Sequence, residues 1–213
     1  MSLADDVIDT VQEHVIEEDV QKDKPLLVTD PEGLRDVMAE AQDAGFDHLC
    51  FVTAVDWPKD EIEDNAAWLG FTEEREVEDP DDEEDEDATE TVPVESKGWH
   101  LDDVDDGLME VVYNLYSYDE GDHLAVQVWV PREVDQCSVP TVSDLWAGAN
   151  WHEREVFDLY GVTFEGHPDM KRIFMPEDWE GHPHRKDYDL GEQQYIYRED
   201  GIDKVTKDAG KGW

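Results

Sequence analysis

Residues 109–130 read MEVVYNLYSYDEGDHLAVQVWV, with apolar side chains at alternating positions on both sides of an acidic, glycine-containing centre. Alternate residues of a strand point to the same face of a sheet, so each half presents one apolar face. These faces comprise Met109, Val111, Tyr113 and Leu115 in the first half and Leu124, Val126, Val128 and Val130 in the second. The centre, residues 118–122, predicts the turn of an antiparallel hairpin.

The segments on either side of the hairpin predict helices and a further pair of strands. Downstream, Pro140 and Thr141 predict the start of a helix that ends at Gly161, with an inward face of Val142, Leu145, Trp146, Ala149 and Val156. Upstream, strands are predicted over residues 26–28 and 46–55. Between them Asp30 and Pro31 begin a helix that ends at Gly45, with an apolar face of Leu34, Val37, Met38 and Ala41.

Helices and paired strands together predict an α+β fold, a two-layer domain with a mixed, partly antiparallel sheet packed on helices, plus an extended C-terminal tail. The domain covers residues 25–165. An N-terminal acidic helix precedes it over residues 1–24, with Leu3, Val7, Val11 and Val15 at helical spacing. An extended interface segment and hydrophilic tail follow over residues 166–213.

A dense acidic run between Phe71 and Pro93 predicts a mobile surface insertion, extending over about residues 71–97, that interrupts a hairpin. A solvated loop is the favoured interpretation. Calcium binding or partner docking stays open as an alternative, although the run lacks the glycine-centred spacing of an EF-hand.

The chain is strongly acidic: 59 Asp and Glu stand against 16 Lys and Arg, which gives a formal net charge of -43 over 213 residues. Nucleic acid and anionic membrane surfaces are bound through basic residues, so this balance argues against both as partners. Eight Trp, seven Tyr and six Phe are too many aromatics for a disordered chain. Folded acidic chains of this kind are typical of a halophilic source, because molar salt screens the repulsion between carboxylates.

The cysteine content and the hydropathy pattern limit what the chain does by itself. Cys50 and Cys137 are two thiols far apart, whereas an iron–sulfur cluster normally needs four. Any redox centre is therefore predicted to belong to a partner. No apolar stretch reaches the length of a membrane span, and the start MSLADDVIDTVQEHV lacks the features of a signal peptide. We therefore expect a cytoplasmic protein without a direct membrane span, which reaches a membrane only through partners.

Residues 151–190 read WHEREVFDLYGVTFEGHPDMKRIFMPEDWEGHPHRKDYDL, where close-set charges of both signs mix with aromatics. Helical geometry places Glu153 on the apolar stripe, where a carboxylate needs a partner. Candidate cations lie downstream, and they predict a buried or interfacial ion-pair network: Lys171, Arg172, Arg185 and Lys186. The aromatics suit a protein interface, and about half of them are expected to complete the core instead.

The same segment resembles the signature of the 30 kDa subunit family of complex I, NADH:quinone oxidoreductase. The pattern E-R-E-x-x-D-x-x-G-x-x-F-x-G-H-P-x-x-x-R is followed by P-x-D-W and G-x-P-x-R-K-D-Y. Interface and signature positions carried over from it are Glu153, Arg154, Glu155, Asp158, Gly161, His167, Pro168, Arg172, Asp178, Trp179, Arg185, Lys186, Asp187 and Tyr188. His184 stands where the family usually has Leu, and Asp189 stands where it often has Pro.

The resemblance implies a subunit of the hydrophilic arm with no catalytic residue, metal or cofactor of its own. Its implied partners are the quinone-site and iron–sulfur subunits of the same complex, which would hold the quinone and the clusters. The electron donor to the complex is NADH or another reduced carrier, and this chain binds none. The complex would couple electron transfer to quinone with ion translocation.

Two alternatives remain open from the sequence. The first is the equivalent subunit of a related membrane-bound hydrogenase. The second is a metal-dependent enzyme, because histidines and aspartates stand close together in the chain: His167, His182, His184, Asp169, Asp178 and Asp187. Their spacing matches no established ligand set, and the sequence lacks a phosphate-binding glycine loop, a dinucleotide fingerprint and a Gly-x-Ser-x-Gly elbow.

Overall fold

The computed structural model describes residues 3–21, 24–76, 89–189, 195–199 and 202–206. The α-helices in this part of the chain are α1 (Leu3–Thr10), α2 (Leu34–Ala44), α3 (Lys59–Asp64), α4 (Ala66–Leu69) and α5 (Ala149–Tyr160), and two short 3₁₀ helices cover Gln12–His14 and Leu101–Asp103. The strands are β1 (Val15–Gln21), β2 (Lys24–Thr29), β3 (His48–Pro58), β4 (Thr72–Glu76), β5 (Thr89–Pro93), β6 (Gly107–Tyr116), β7 (His123–Pro131), β8 (Ser138–Pro140), β9 (Thr163–Glu165), β10 (Tyr195–Glu199) and β11 (Ile202–Thr206).

The main sheet has five strands in the order β1-β2-β7-β6-β3. Strands β2 and β7 run parallel, and the other neighbours run antiparallel, so the sheet is mixed as predicted. The predicted hairpin is β6 and β7, with Val111 opposite Val128 in the register. Together with the helices packed on it, this sheet confirms the α+β fold.

One face of the sheet carries the main core, to which α1, α2 and α5 contribute. Both apolar faces of the predicted hairpin are buried here, and Tyr113 lies fully within the core. The opposite face is covered in part by a smaller cluster that includes Leu108 and Trp129, the sequence neighbours of core residues Met109 and Val130. Successive residues of a strand point to opposite faces, so the two clusters lie on the two sides of the sheet.

The N-terminal helix is shorter than predicted, and it is not separate from the domain. It ends at Thr10, and residues 15–21 of the predicted helix form strand β1, which pairs with β2 at the edge of the sheet. Val7 and Val11 are buried in the main core. A short 3₁₀ turn follows over residues 12–14, and from Val15 onward the backbone hydrogen-bonds to β2 instead of continuing the helix.

Helix α5 begins at Ala149 and not near Pro140. Residues 138–140 form β8, which pairs in parallel with β9, and turns lead from there to the helix. Val142 and Trp146 are nevertheless buried, as predicted. The turns bring Thr141 and Val142 into contact with the Glu153 carboxylate, whereas one continuous helix would separate them from Glu153 by roughly 16 to 18 Å along its axis.

The acidic insertion is narrower than predicted. Phe71 is fully buried in the smaller cluster, and β4 pairs with β5 as an antiparallel hairpin at its base. Residues 77–88 lie outside the described residues. In the predicted C-terminal tail, β10 and β11 pair as a hairpin, and the rest of the tail beyond Asp189 lies outside the description.

Candidate functional site

The carboxylate of Asp158, fully buried near the end of α5, organises the segment that follows. Its Oδ1 accepts a hydrogen bond from Arg172 Nη1 at 2.8 Å. Its Oδ2 accepts the backbone N–H groups of Ile173, Phe174 and Met175 at 2.9, 2.7 and 2.9 Å. Burial alone would raise the pKa of Asp158, but the backbone donors and Arg172 hold it below its ordinary value.

The contact between Asp158 and Arg172 is a first anchor of the signature segment, and the Arg172 guanidinium connects it to residues further along the segment. It also donates to the carbonyl oxygens of Asp158, Trp179 and Gly181 at 3.1, 3.3 and 3.0 Å. The His182 ring lies 3.0 Å through Nδ1 from the same Asp158 carbonyl. Because α5 ends at Gly161 in the left-handed conformation, the chain turns back and lays the signature segment against the end of the helix.

A second anchor is Arg132, a nearly fully buried residue directly after β7. It binds Asp56 through Nε at 2.7 Å and Nη2 at 3.1 Å, and it binds Asp106 at 2.8 Å and Asp187 at 2.9 Å. Burial would lower the pKa of Arg132, but the three carboxylates raise it. The backbone N–H of Lys186 also donates to Asp56. Asp187 and Lys186 belong to the signature, so this anchor ties the far end of the segment to the sheet.

The sequence predicted neither Asp56 nor Arg132. Asp56 lies in a strand otherwise rich in apolar residues, and Arg132 directly follows another such strand. The sequence does show a charged residue in or beside each of these two strands, which indicates that each needs a partner. The two residues are 76 positions apart, however, and only the order of the strands in the sheet brings them together.

The remaining basic signature residues bind within the chain. Arg185 donates to the carbonyl oxygens of Tyr160 and Arg132 at 2.6 and 2.8 Å. Lys186 forms an ion pair with Glu61, and its Nζ lies 5.1 Å from the centre of the Trp57 ring. The predicted ion-pair network therefore exists among the described residues. Within it, Arg185 and Lys186 bind Tyr160, Arg132 and Glu61, and not the buried Glu153.

Glu153 is buried on the inner face of α5, as the sequence predicted. Thr141 Oγ1 donates to it at 2.5 Å and the Val142 N–H at 2.8 Å. The buried imidazole of His167 lies 3.9 Å away through Nε2. Burial raises the pKa of Glu153 to about 7 against these two hydrogen bonds. Its partners are thus a hydroxyl and a backbone amide, not the predicted cation.

The histidines proposed as metal ligands contact backbone groups or aromatic rings. His167 Nε2 lies 3.2 Å from the Asn150 carbonyl oxygen, and its Nδ1 accepts the Asp169 N–H at 3.1 Å. The His184 ring packs edge-on against Tyr160 at 5.3 Å. Within the described ranges, no group of three or more His, Cys, Asp or Glu side chains is placed to hold a metal ion.

Part of the segment faces outward. Trp151 and Phe174 have exposed fractions of 61% and 59%. The Arg154 guanidinium stacks 4.8 Å from the centre of the Trp151 ring, while its Nε donates to the Lys171 carbonyl at 2.9 Å. We call these three residues, Trp151, Arg154 and Phe174, the Trp151 surface.

The other signature residues differ in their exposure. Pro168 and Asp178 are exposed; Glu155, Trp179 and Tyr188 are half-buried. The structure brings most of the signature together around the end of α5 and the Arg132 anchor. No helix among the described residues is long and apolar enough to cross a membrane.

Comparison with known proteins finds a family match over the region that contains the signature segment. The family model described as "Respiratory-chain NADH dehydrogenase, 30 Kd subunit" matches residues 84–194, just over half of the chain. All the signature positions lie inside this range.

Individual relatives match over a shorter region. NADH-quinone oxidoreductase subunit 5 of Thermus thermophilus is 52% identical over 94 residues, 42% of this chain and 44% of the relative. An NADH-quinone oxidoreductase subunit of Geobacter metallireducens is 58% identical over 80 residues, 38% of this chain and 48% of the relative. The chain thus spans less than half the length of these two relatives.

A solved structure extends the likeness in fold. A chain of the membrane-bound sulfane sulfur reductase, an archaeal respiratory membrane complex, superposes with a TM-score of 0.59 over 89% of this chain and 87% of that chain. Sequence identity is 24%, so this likeness shows the fold alone.

Proposed function

The chain belongs to the family of 30 kDa subunits of respiratory-chain NADH dehydrogenase, and from this premise we propose that it is a non-catalytic structural subunit of a membrane-associated quinone oxidoreductase. In this role it docks the quinone-site and iron–sulfur subunits of the hydrophilic arm at the cytoplasmic face of the membrane. The electron donor is NADH or another reduced carrier, and it binds elsewhere in the complex.

The observation that carries the proposal is the way the signature segment is held. Buried ion pairs at Asp158 and Arg132 fix both ends of the segment to the domain. The Trp151 surface is therefore presented on a rigid support. Aromatic residues and Arg are the preferred anchors of protein interfaces, and a pre-ordered surface loses less entropy on binding.

The chemistry of the cysteines supports placing the redox centres in partner subunits. Burial raises the pKa of the Cys137 thiol to about 12. The thiolate, which is the form that ligates iron, is thus disfavoured at neutral pH. Cys50 is half-buried, and burial raises its pKa as well.

The first test is recovery of the tagged chain from its own membranes in high salt, with co-purifying proteins identified by mass spectrometry and assayed for quinone reduction. We expect an iron–sulfur subunit and a quinone-site subunit in the recovered complex. Recovery of hydrogenase subunits in their place would support the alternative that the chain is the equivalent subunit of a membrane-bound hydrogenase. A chain recovered alone with bound metal would contradict the structural role.

Variants of the Trp151 surface test which residues of this chain contact the partner subunits. Trp151→Ala and Phe174→Ala should each lower recovery of the partner subunits by about tenfold, as expected for interface anchors. Tyr118→Ala removes an aromatic of similar exposure, 65%, outside the signature and should leave recovery unchanged. Equal recovery for all three variants would contradict the placement of the interface.

A further inference from the structure

The face of the sheet opposite α5 carries a pocket that the signature does not explain. It has a volume of about 590 Å³ and lies between the sheet, α4 and the segment that follows β5. Three tryptophans line it: Trp129 is buried at the floor, Trp57 is half-buried, and Trp68 is 77% exposed at the rim. A volume of this size accommodates a large side chain or a small ligand.

The tryptophan rings form a continuous aromatic lining. Trp57 and Trp129 stack with an interplanar angle of 21° and centroids 6.3 Å apart, and Trp57 and Trp68 are tilted at 6.2 Å. Tryptophan has the ring face that attracts cations most strongly. Lys97 lies 6.0 Å from the Trp129 ring, so the chain already uses this attraction at the edge of the pocket.

Glu110 is an acidic group in this lining, with an exposed fraction of 8%. Its Oε2 accepts the Trp57 indole N–H at 2.9 Å. Among the described residues no cation forms an ion pair with it. Lys97 pairs with Glu17 at 3.0 Å, and although the Lys97 charge and the Trp57 hydrogen bond favour the ionised form of Glu110, burial outweighs them and raises the pKa of Glu110. A buried carboxylate that lacks a cation is unfavourable unless something else pairs with it.

From this geometry we propose that the tryptophan pocket is a second docking site, which receives an arginine side chain from a partner subunit of the complex. The guanidinium stacks on the exposed Trp68 ring and pairs with the Glu110 carboxylate. The inference rests on the proposed function, since it requires a partner subunit, but it concerns the other side of the sheet from the Trp151 surface.

Arginine fits the pocket better than other interface residues. Its planar guanidinium stacks on an indole ring and binds a carboxylate at the same time, which the ammonium of lysine does less well. An apolar side chain would bury Glu110 without a counter-charge. The net charge of -43 on this chain also favours a basic partner segment.

The direct test places a photo-crosslinking amino acid, p-benzoylphenylalanine, at the exposed position 67 of the tagged chain in its own cells, so that the neighbouring Trp68 ring is kept. After irradiation of the assembled complex, mass spectrometry locates the crosslinked residue. We expect a peptide of another subunit with an arginine within about five residues of the crosslink. Crosslinks confined to this chain, or to a partner segment without arginine, would overturn the proposal.

Recovery of the complex from membranes gives an independent readout. Trp68→Ala and Glu110→Gln should each lower recovery of the crosslinked partner by about tenfold, while Tyr118→Ala and Asp119→Asn, an aromatic and an acid outside the pocket, should not. Since Trp68 is largely exposed, its variant tests the pocket even if Glu110→Gln fails to fold, which circular dichroism in the same salt would reveal.

The two proposals fail in different ways. If the unmodified chain recovers no other subunit, the proposed function is wrong. If the unmodified chain recovers the complex and Trp68→Ala recovers it equally well, only the tryptophan pocket is wrong.

Discussion

At the residue scale, Asp158 accepts four hydrogen bonds with almost no exposure to solvent. Asp158→Asn leaves the Arg172 guanidinium without its carboxylate. Breaking a buried ion pair in this way should lower the free energy of unfolding by about 3 kcal/mol or more. Chemical denaturation at fixed high salt measures the loss. Asp169→Asn, which breaks an exposed pair with Lys171, should leave stability nearly unchanged, because solvent screens exposed ion pairs.

The pH dependence of Asp158 has a definite sign. Its pKa in the folded chain lies below the ordinary value of 3.8. Its contribution to stability is thus complete above that value and is lost as the pH falls through the lowered pKa.

Equal stability losses for the Asp158 and Asp169 variants would show that the contact between Asp158 and Arg172 is not a major stabilising contact.

Glu153 predicts the opposite pH dependence. Its pKa of about 7 in the folded chain exceeds its ordinary value of 4.5, so the folded state retains a proton that the unfolded chain releases between these values. Wild-type stability should therefore fall by about 3 kcal/mol as the pH rises from about 4.5 to about 7. Glu153→Gln should remove this fall.

Denaturation at pH 5 and pH 8 measures the effect for both chains. Glu155→Gln, at a half-buried position on the same helix, serves as the control and should keep the wild-type pH dependence. If Glu153→Gln shows the same fall as wild type, another group in the fold is responsible.

The sequence located the buried carboxylate but not what binds it. The apolar stripe of α5 continues through position 153, which is visible from helical spacing alone. Its partners, Thr141 and Val142, lie in turns that the sequence suggested were helix. The Asp56–Arg132 pair was invisible for a related reason, since nothing local to either residue indicates which strands are neighbours.

At the scale of elements, the two ends of α5 offer a matched pair of glycines. Gly161 has a φ of +82°, and a Cβ there would lie 2.7 Å from the His182 ring. Gly161→Ala should therefore destabilise the fold by about 1–3 kcal/mol through backbone strain and displacement of the signature segment. Gly148 has a φ of -67°, and a Cβ there would meet no atom within 4 Å, so Gly148→Ala should change stability by less than about 0.5 kcal/mol.

Thermal unfolding of the two alanine variants under one salt condition provides the comparison. A Gly148→Ala variant as unstable as Gly161→Ala would mean that the end of α5 is not what positions the segment.

Elements with a strict apolar period were predictable, and elements held by long-range pairing were not. The β6–β7 hairpin and the C-terminal glycine of α2 follow from local pattern, and both were correct. Strand β1 was predicted as helix because its first residue, Val15, continues the spacing of Leu3, Val7 and Val11. Its extended form is stabilised by hydrogen bonds to β2 at the sheet edge, which helical periodicity does not reveal.

At the scale of the whole molecule, the chain presents two aromatic surfaces on opposite sides of one sheet. The Trp151 surface lies on the exposed side of α5, and the tryptophan pocket lies over the smaller cluster. Lys186 of the signature segment reaches the Trp57 ring, so the segment contacts residues of both sides. A protein with this arrangement is suited to hold two partners in a fixed relative position.

The net charge of -43 predicts that folding of the isolated chain depends on salt. The Debye length is about 3 Å in 1 M salt and about 10 Å in 0.1 M salt. Dilution of the salt therefore restores the repulsion between the surface carboxylates of the folded chain. The far-ultraviolet circular dichroism of the folded chain should be lost as KCl falls well below molar. NaCl at equal ionic strength should preserve it, and sucrose at equal osmolality should not, because sucrose supplies no screening charge. A spectrum unchanged in dilute buffer would mean that the contacts of the core outweigh the repulsion, and the adaptation to high salt inferred from composition would then be wrong.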